Sequence, residues 1–384
     1  MNMYYNHLLK FINIPLVLFL TALLLVGCWD RVELNDLGLV LAAGIDKADN
    51  ERIKLSLQFA VPGAMGIQSS VGGGQEGKNP TVVESATGKT IVEAMSRLQA
   101  KFSRRIFWGQ SQVVIIGKNL AQTEDIKKHI DFFARYPKAR IRANVFVADG
   151  QAIDILKVVP VVDRSSSEVA RELANFNIGI QVTVKDLIES LSDEQKVADL
   201  PMIKTNKEGG LIINGTAVLK NGQMIGQLNE RLTRGLLWLK DEMGISTITV
   251  KPKGYNNEIT FNILRSRTHH IPKINNGKWK ILLKIAIEDD MSENETTINP
   301  LDPSLIKDIE KQLSDTIEHR IYQTLEVVQK EMKTDIIDFG KTFNRHYPDE
   351  WEKVKDRWDQ KFPEIEVEIE SNVNIKRPGM ISTQ

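Results

Sequence analysis

The sequence predicts an α+β protein, built of mixed α/β modules in two to three domains, with a long C-terminal helix packed across a largely antiparallel sheet. Three observations predict it. Stretches such as 52–61 and 278–287 alternate apolar and polar residues with the period of two that marks a strand. Between them lie segments with apolar residues at helical spacing, so that the first half reads β, β, α, β, α, β, α. Near the end, Ile309, Leu313, Ile317, Ile321, Leu325, Val328, Met332 and Ile336 form one stripe, mostly in steps of four. A coiled-coil seam needs a mean step of 3.5. The stripe therefore fits a helix laid on a sheet, with a groove for a partner helix as the alternative.

The chain starts with a different kind of segment. Phe11 to Val26 carries no charge, follows Lys10, and closes on Leu25-Val26-Gly27-Cys28. A basic start, an apolar stretch and a small-residue cleavage site define an export signal over residues 1–27. The run is too short for the ~20 residues of a membrane-spanning helix. Cys28, the single cysteine of the chain, directly after Leu-Val-Gly matches a bacterial lipoprotein signal. Its thiol is the expected lipid attachment site, a diacylglyceryl thioether with N-acylation after cleavage. Two acyl chains are about what stable anchoring to a bilayer requires. Removing Lys10 from the 50 basic residues leaves 49 against 50 acidic ones, a net −1. Such balance excludes a nucleic-acid binder, which shows a basic excess. With its thiol acylated, the exported protein has no disulfide and depends on its core.

Beyond Cys28, Trp29 sits either at the headgroup level or on the folded domain. Leu37 to Ile45 reads as a buried strand and Arg52 to Val61 as a half-buried one, with Lys54, Ser56 and Gln58 outward. Asp49-Asn50 makes them a hairpin. Pro62 to Pro80 is rich in Gly, Ser and Gln and reads as a surface loop. Its Gly72-Gly73-Gly74 lacks the following Lys-Ser/Thr of a phosphate cradle. Helices are expected over 90–104, 124–135, 151–158, 167–176 and 183–191, and strands over 112–116 and 141–148. Arg104-Arg105 ends the first helix, where cations suit the helix dipole; contact with anionic lipid is the alternative reading. Ser165 to Ser167 are N-cap candidates.

Around Ala198 to Gly210 the chain turns polar, which divides it into an N-terminal α/β domain, 28–205, possibly of two subdomains, and a C-terminal α+β domain, 206–376, followed by a tail, 377–384. The second domain opens on strands over 211–219 and 223–228 joined by Asn221-Gly222, a strong hairpin signal. A helix over 230–240, strands over 245–250, 258–264 and 278–287, the long helix from Pro303, a helix over 351–362 and a strand over 365–375 complete it. Glu364, Glu366, Glu368 and Glu370 read as a solvated face rather than a metal site.

No catalytic arrangement stands out. His129 and His319 lie on predicted helices among charges. His269-His270, as neighbours in a strand, point to opposite faces and share no ligand. His-Glu-x-x-His, Gly-x-Ser-x-Gly and Cys-x-x-Cys are all absent from the sequence. The residues imply no enzyme, no metal and no cofactor.

Gly27-Cys28-Trp29-Asp30-Arg31-Val32-Glu33-Leu34-Asn35-Asp36-Leu37, continuing to Ala43-Gly44-Ile45-Asp46, resembles the Ger(x)C family, the lipoprotein C subunits of nutrient germinant receptors in endospore-forming bacteria. Phe107-Trp108-Gly109-Gln110 is similar to the family's middle motif. Gly215 to Lys220, Gly226 and Gly235-Leu236-Leu237-Trp238 are similar to the start of its C-terminal domain. Asp338-Phe339-Gly340, Pro348, Trp351 and Trp358 are similar to its end. Val32 departs, since a polar or basic residue is commoner there. The resemblance covers nearly the whole chain. It implies three α/β domains without enzymatic activity, on the outer face of the inner spore membrane, working with an A subunit and a multi-spanning, transporter-like B subunit. Only Cys28 carries a role over, as the lipid attachment site. A solute-binding lipoprotein of a transporter is the competing expectation, and it needs two similar lobes around a pocket.

Overall fold

The computed structural model describes residues 36–61, 79–176, 178–244 and 246–377. Residues 1–27, Cys28, Trp29, most of the Gly-rich stretch after Pro62 and all but the first residue of the tail lie outside them.

The larger of two sheets has the order β3-β2-β1-β5-β6-β7-β8-β9, with β4 added beside β1. Its centre is parallel. β1 (Leu37–Ala48), β5 (Val113–Gly117), β6 (Asn144–Ala148) and β7 (Val197–Thr205) run the same way, as does the short β4 (Arg105–Phe107). β2 (Arg52–Ala60) and β3 (Thr81–Gly88) flank it antiparallel on one side, β8 (Leu211–Lys220) and β9 (Gln223–Asn229) on the other. Helices cover both faces. α1 (Ile91–Lys101), α2 (Lys118–Thr123), α3 (Lys127–Arg135) and α6 (Val184–Ser192) bury Leu98, Leu120, Ile130 and Leu187 on one face. α4 (Ala152–Leu156) and α5 (Ser166–Asn175) bury Ile155 and Ala170 on the other. Parallel strands need such double cover, because their crossovers place helices on the faces.

That cover corrects the reading of β2 as half-buried. Ser56 and Gln58 are fully buried, and Gln58 Nε2 donates to Leu156 O at 2.8 Å and Ser166 Oγ at 2.9 Å. The polar stretch before Gly210 is a further correction. Residues 197–205, read as part of a polar stretch, form the largely buried strand β7. Strands on either side of residue 205 therefore share one sheet. α1 stops at Lys101, so Arg104 and Arg105 lie beyond its last turn, and Arg105 opens β4.

The smaller sheet has the order β10-β11-β12-β13. β10 (Ser246–Val250), β11 (Ile259–Asn275) and β12 (Lys278–Asn294) are antiparallel, and β13 (Glu366–Arg377) joins β12 in parallel. The sheet expected to be largely antiparallel is thus mixed. The return path explains it, because α8 (Pro303–Leu325), a π-helical turn (Glu326–Glu331) and short helices carry the chain back to the start of β12's direction. α8 lies on this sheet, with Ile309, Leu313, Ile317 and Ile321 buried. Glu318 accepts from Ser371 N at 3.2 Å and Glu310 from Ile375 N at 2.9 Å, clipping the helix to the edge strand β13. The expected helix over 351–362 is broken. α9 (Phe339–His346), α10 (Pro348–Glu352) and α11 (Trp358–Lys361) are separate, and together they pack Trp351, Trp358 and Phe362 onto Trp279 and Phe343. Between the sheets runs α7 (Glu230–Leu239). A Cβ on Gly235 would overlap Thr324 Oγ1 and approach the Arg320 carbonyl, so glycine is what lets α7 meet α8 closely.

Candidate functional site

Three of the histidines make hydrogen bonds within the fold. His270 Nε2 bonds Leu239 O at 2.6 Å, and its ring stands edge-on to Phe339. Burial lowers its pKa below the ordinary histidine value, against the Leu239 hydrogen bond that raises it. His129 bonds Glu124 at 3.1 Å, and His346 bonds Thr342 O at 2.9 Å. Ser165 caps α5 by accepting from Glu168 N at 3.1 Å, as its place in the sequence predicts. Among the described residues no three His, Cys, Asp or Glu side chains gather as a metal site.

The motif residues are junctions of the fold. Asp46 is buried at the end of β1 and accepts from Ala152 N at 2.6 Å and Ile153 N at 3.1 Å, so it caps α4. Burial raises its pKa, and the two N–H groups oppose that shift. Trp108 is fully buried against Phe132, Phe133 and Tyr136. Gly215 has φ +151°, and a Cβ there would overlap Leu228 O across the β8–β9 hairpin. Asp335, which sequence reading missed, holds the C-terminal motif together. Its carboxylate accepts from Phe339 N at 3.1 Å, Gly340 N at 2.7 Å and Trp358 Nε1 at 2.9 Å. Burial still pushes it up to about 6.

The largest concentration of buried charge lies where the two sheets meet. A cleft of about 220 Å³ is bordered by the turn between α6 and β7, by Lys240 after α7, and by α9. Lys240 Nζ lies 2.9 Å from both oxygens of Asp199 on β7. Burial alone would lower the lysine pKa; Asp199 and then Glu242 outweigh it and hold the group above its usual range. At the rim, Lys341 Nζ reaches Asp193 at 3.0 Å and Asp338 at 3.1 Å. These charges satisfy one another across the junction. The arrangement is a joint between the two sheets.

The described residues form a two-sheet α/β scaffold in which the motif residues are packing nodes. Comparison with known proteins gives the family. The description "Spore germination protein N-terminal domain" matches residues 30–205, and "Spore germination B3/ GerAC like, C-terminal" matches residues 214–379. The chain is 28% identical over 393 residues to spore germination protein KC of Bacillus subtilis (strain 168), covering 96% of each. It is 24% identical over 377 residues to spore germination protein B3 of the same organism, covering 95% of this chain and 97% of that one. With GerQC of Bacillus cereus it shares 23% over 372 residues, 95% of this chain and 98% of the relative. The crystal structure of the GerBC protein shows the same fold, with a TM-score of 0.61 at 20% identity over 87% of this chain and 97% of that one. The chain belongs to the Ger(x)C family of spore germination proteins. Its role is that of a membrane-associated, non-catalytic germinant receptor subunit.

Proposed function

We propose that this subunit is held at the membrane through Cys28, acylated after removal of residues 1–27, on the outer face of the inner spore membrane. There it assembles with the receptor's A subunit and its multi-spanning B subunit. The observation that carries this reading is the Leu25-Val26-Gly27-Cys28 stretch, placed nine residues before Leu37, where β1 begins. Domains 28–205 and 206–376 are on this reading units of sequence. A shared nine-stranded sheet and the Lys240–Asp199 pair join them. A tether converts a three-dimensional search for partners into a two-dimensional one and raises their effective concentration.

The test is Cys28→Ala in sporulating cells. We expect loss of the protein from the inner membrane fraction and a slowed nutrient response. Full membrane retention and a normal response would sink the anchoring. Crosslinked recovery from spore membranes should bring down two integral proteins, one with many spans. Recovery of a nucleotide-driven permease would instead restore the solute-binding alternative.

A further inference from the structure

β1, β5 and β6 are parallel, so their amino ends lie at one end of the larger sheet. Leu37 projects beyond that end, and Arg105 is in register with it on β4. Cys28 precedes Leu37 by nine residues, a span of at most ~30 Å when extended. The β1–β2 turn, at Asp49, is ~40 Å further along the strand.

The same end is basic. A cleft of about 590 Å³ there is lined by Arg140, Arg142, Arg171 and Lys185, with Gln112 and Asn144 at the starts of β5 and β6. One carboxylate, Asp186, also borders it, and the amide and hydroxyl of Thr183 engage it at 3.0 and 2.7 Å. Arg171 donates to Gln112 Oε1 at 3.0 Å and pairs with Glu172 and, at 4.0 Å, Glu168, and Lys185 pairs with Glu189 at 3.5 Å, so the unpaired charge of this end is carried by other side chains. Arg140, Arg142, Lys138, Arg104 and Arg105 have no carboxylate within 4.0 Å among the described residues. For a mature chain of net −1, this is a marked local excess of cations.

Apolar side chains stand out between these charges. Ile141, flanked by Arg140 and Arg142, is 46% exposed. Phe176 is 68% exposed at the end of α5, the helix that carries Arg171 and Asn175 to the cleft. Exposed apolar tips among long cationic side chains suit the boundary of a bilayer, where tips enter the acyl edge and cations meet phosphates.

We propose that the amino end of the parallel strands is the membrane-facing surface of the protein, seated on anionic phospholipid headgroups through Arg140 and Arg142 with Ile141 inserted. The proposal rests on the tether at Cys28, which brings this end within reach of the bilayer. Cationic attraction to such a surface dies away within a Debye length, ~8 Å at physiological salt, so the short tether and the basic end act together. The tether sets the distance and the arginines set the orientation.

The test uses the lipidated full chain carrying Ile141→Cys, labelled with a fluorophore; Cys28 is the single native cysteine and is acylated. Vesicles of phosphatidylcholine, with or without phosphatidylglycerol, carry a nitroxide quencher in the acyl region. Asp49→Cys is the control at the far end of β1. We expect quenching at position 141 to exceed that at 49 by about threefold or more with phosphatidylglycerol. High salt and Arg140→Glu with Arg142→Glu should each remove the difference. Equal quenching at the two positions, with the chain retained on vesicles, overturns the orientation and leaves the anchor standing. Quenching independent of phosphatidylglycerol overturns the role of the arginines. Protection of position 141 only when the membrane subunits are co-reconstituted assigns the face to a protein and overturns the proposal. Release of the chain from vesicles overturns the anchor, and the orientation with it.

Discussion

β2 and β13 carry the same kind of pattern. In β2, Lys54, Ser56 and Gln58 alternate with Ile53, Leu55 and Leu57; in β13, Glu366, Glu368 and Glu370 alternate with Val367 and Ile369. In the larger sheet the polar face is covered by α4 and α5, and Gln58 is 0% exposed. In the smaller sheet it faces water, and the glutamates meet Lys280 and Lys284 across β12. The difference follows from connectivity. Parallel strands place helices on both faces, whereas the long β11–β12 hairpin leaves one face free. Period-two alternation reports which residues share a face, and topology decides whether water reaches it.

Four substitutions sharpen that contrast, each read by equilibrium urea unfolding. Lys240→Met tests the joint between the sheets. It leaves Asp199 buried and unpaired, an expected cost of about 3–5 kcal/mol. A cost below about 1 kcal/mol would mean that the sheets are only loosely coupled.

Asp289 probes the smaller sheet. It is fully buried on β12, and neither of its oxygens has a hydrogen-bond partner. Burial, with the neighbouring Asp290 charge, pushes its carboxyl up to about 7. The folded state then binds a proton that the unfolded chain has released, so stability falls as pH rises from about 4 to about 7 and is level above that. Asp289→Asn should therefore stabilise the protein by about 1–3 kcal/mol at pH 8, with little effect near pH 4. An unchanged pH profile would remove Asp289 as its source.

The smallest effects contrast the two polar faces directly. Gln58→Ala deprives Leu156 O and Ser166 Oγ of a donor and should cost about 1–2 kcal/mol. Glu368→Ala removes an exposed charge and should change stability by less than about 0.5 kcal/mol. Equal costs would mean that both faces are equally wet.

Local chemistry was legible where it acts locally. Thr90, Ser165 and Thr183 cap their helices, and Asn221-Gly222 makes the β8–β9 turn with φ of +52° and +77°. Asn276-Gly277 makes the β11–β12 turn in the same way, at +50° and +76°, and the same rule should have found it. β7 was missed because Asp199 and Pro201 interrupt its apolar run; a lysine 41 residues later neutralises the aspartate. The parallel docking of β13 depends on the path of more than seventy residues from β12, which no window of sequence contains. The Lys240–Asp199 pair was invisible for a like reason, its partners lying 41 residues apart, whereas the Leu25-Val26-Gly27-Cys28 signal is contained in four residues.

β1 is the first described strand after Cys28, the proposed lipid attachment point, and it lies inside the sheet, with β2 on one side and β5 and β4 on the other. A pull on its amino end runs along the strand, at right angles to its hydrogen bonds. Those bonds share the load in shear and must fail together. An edge strand pulled across its ladder would open one bond at a time, like a zip. On the proposed anchoring through Cys28, a leash on a central strand would let the protein take the drag of its membrane without unravelling.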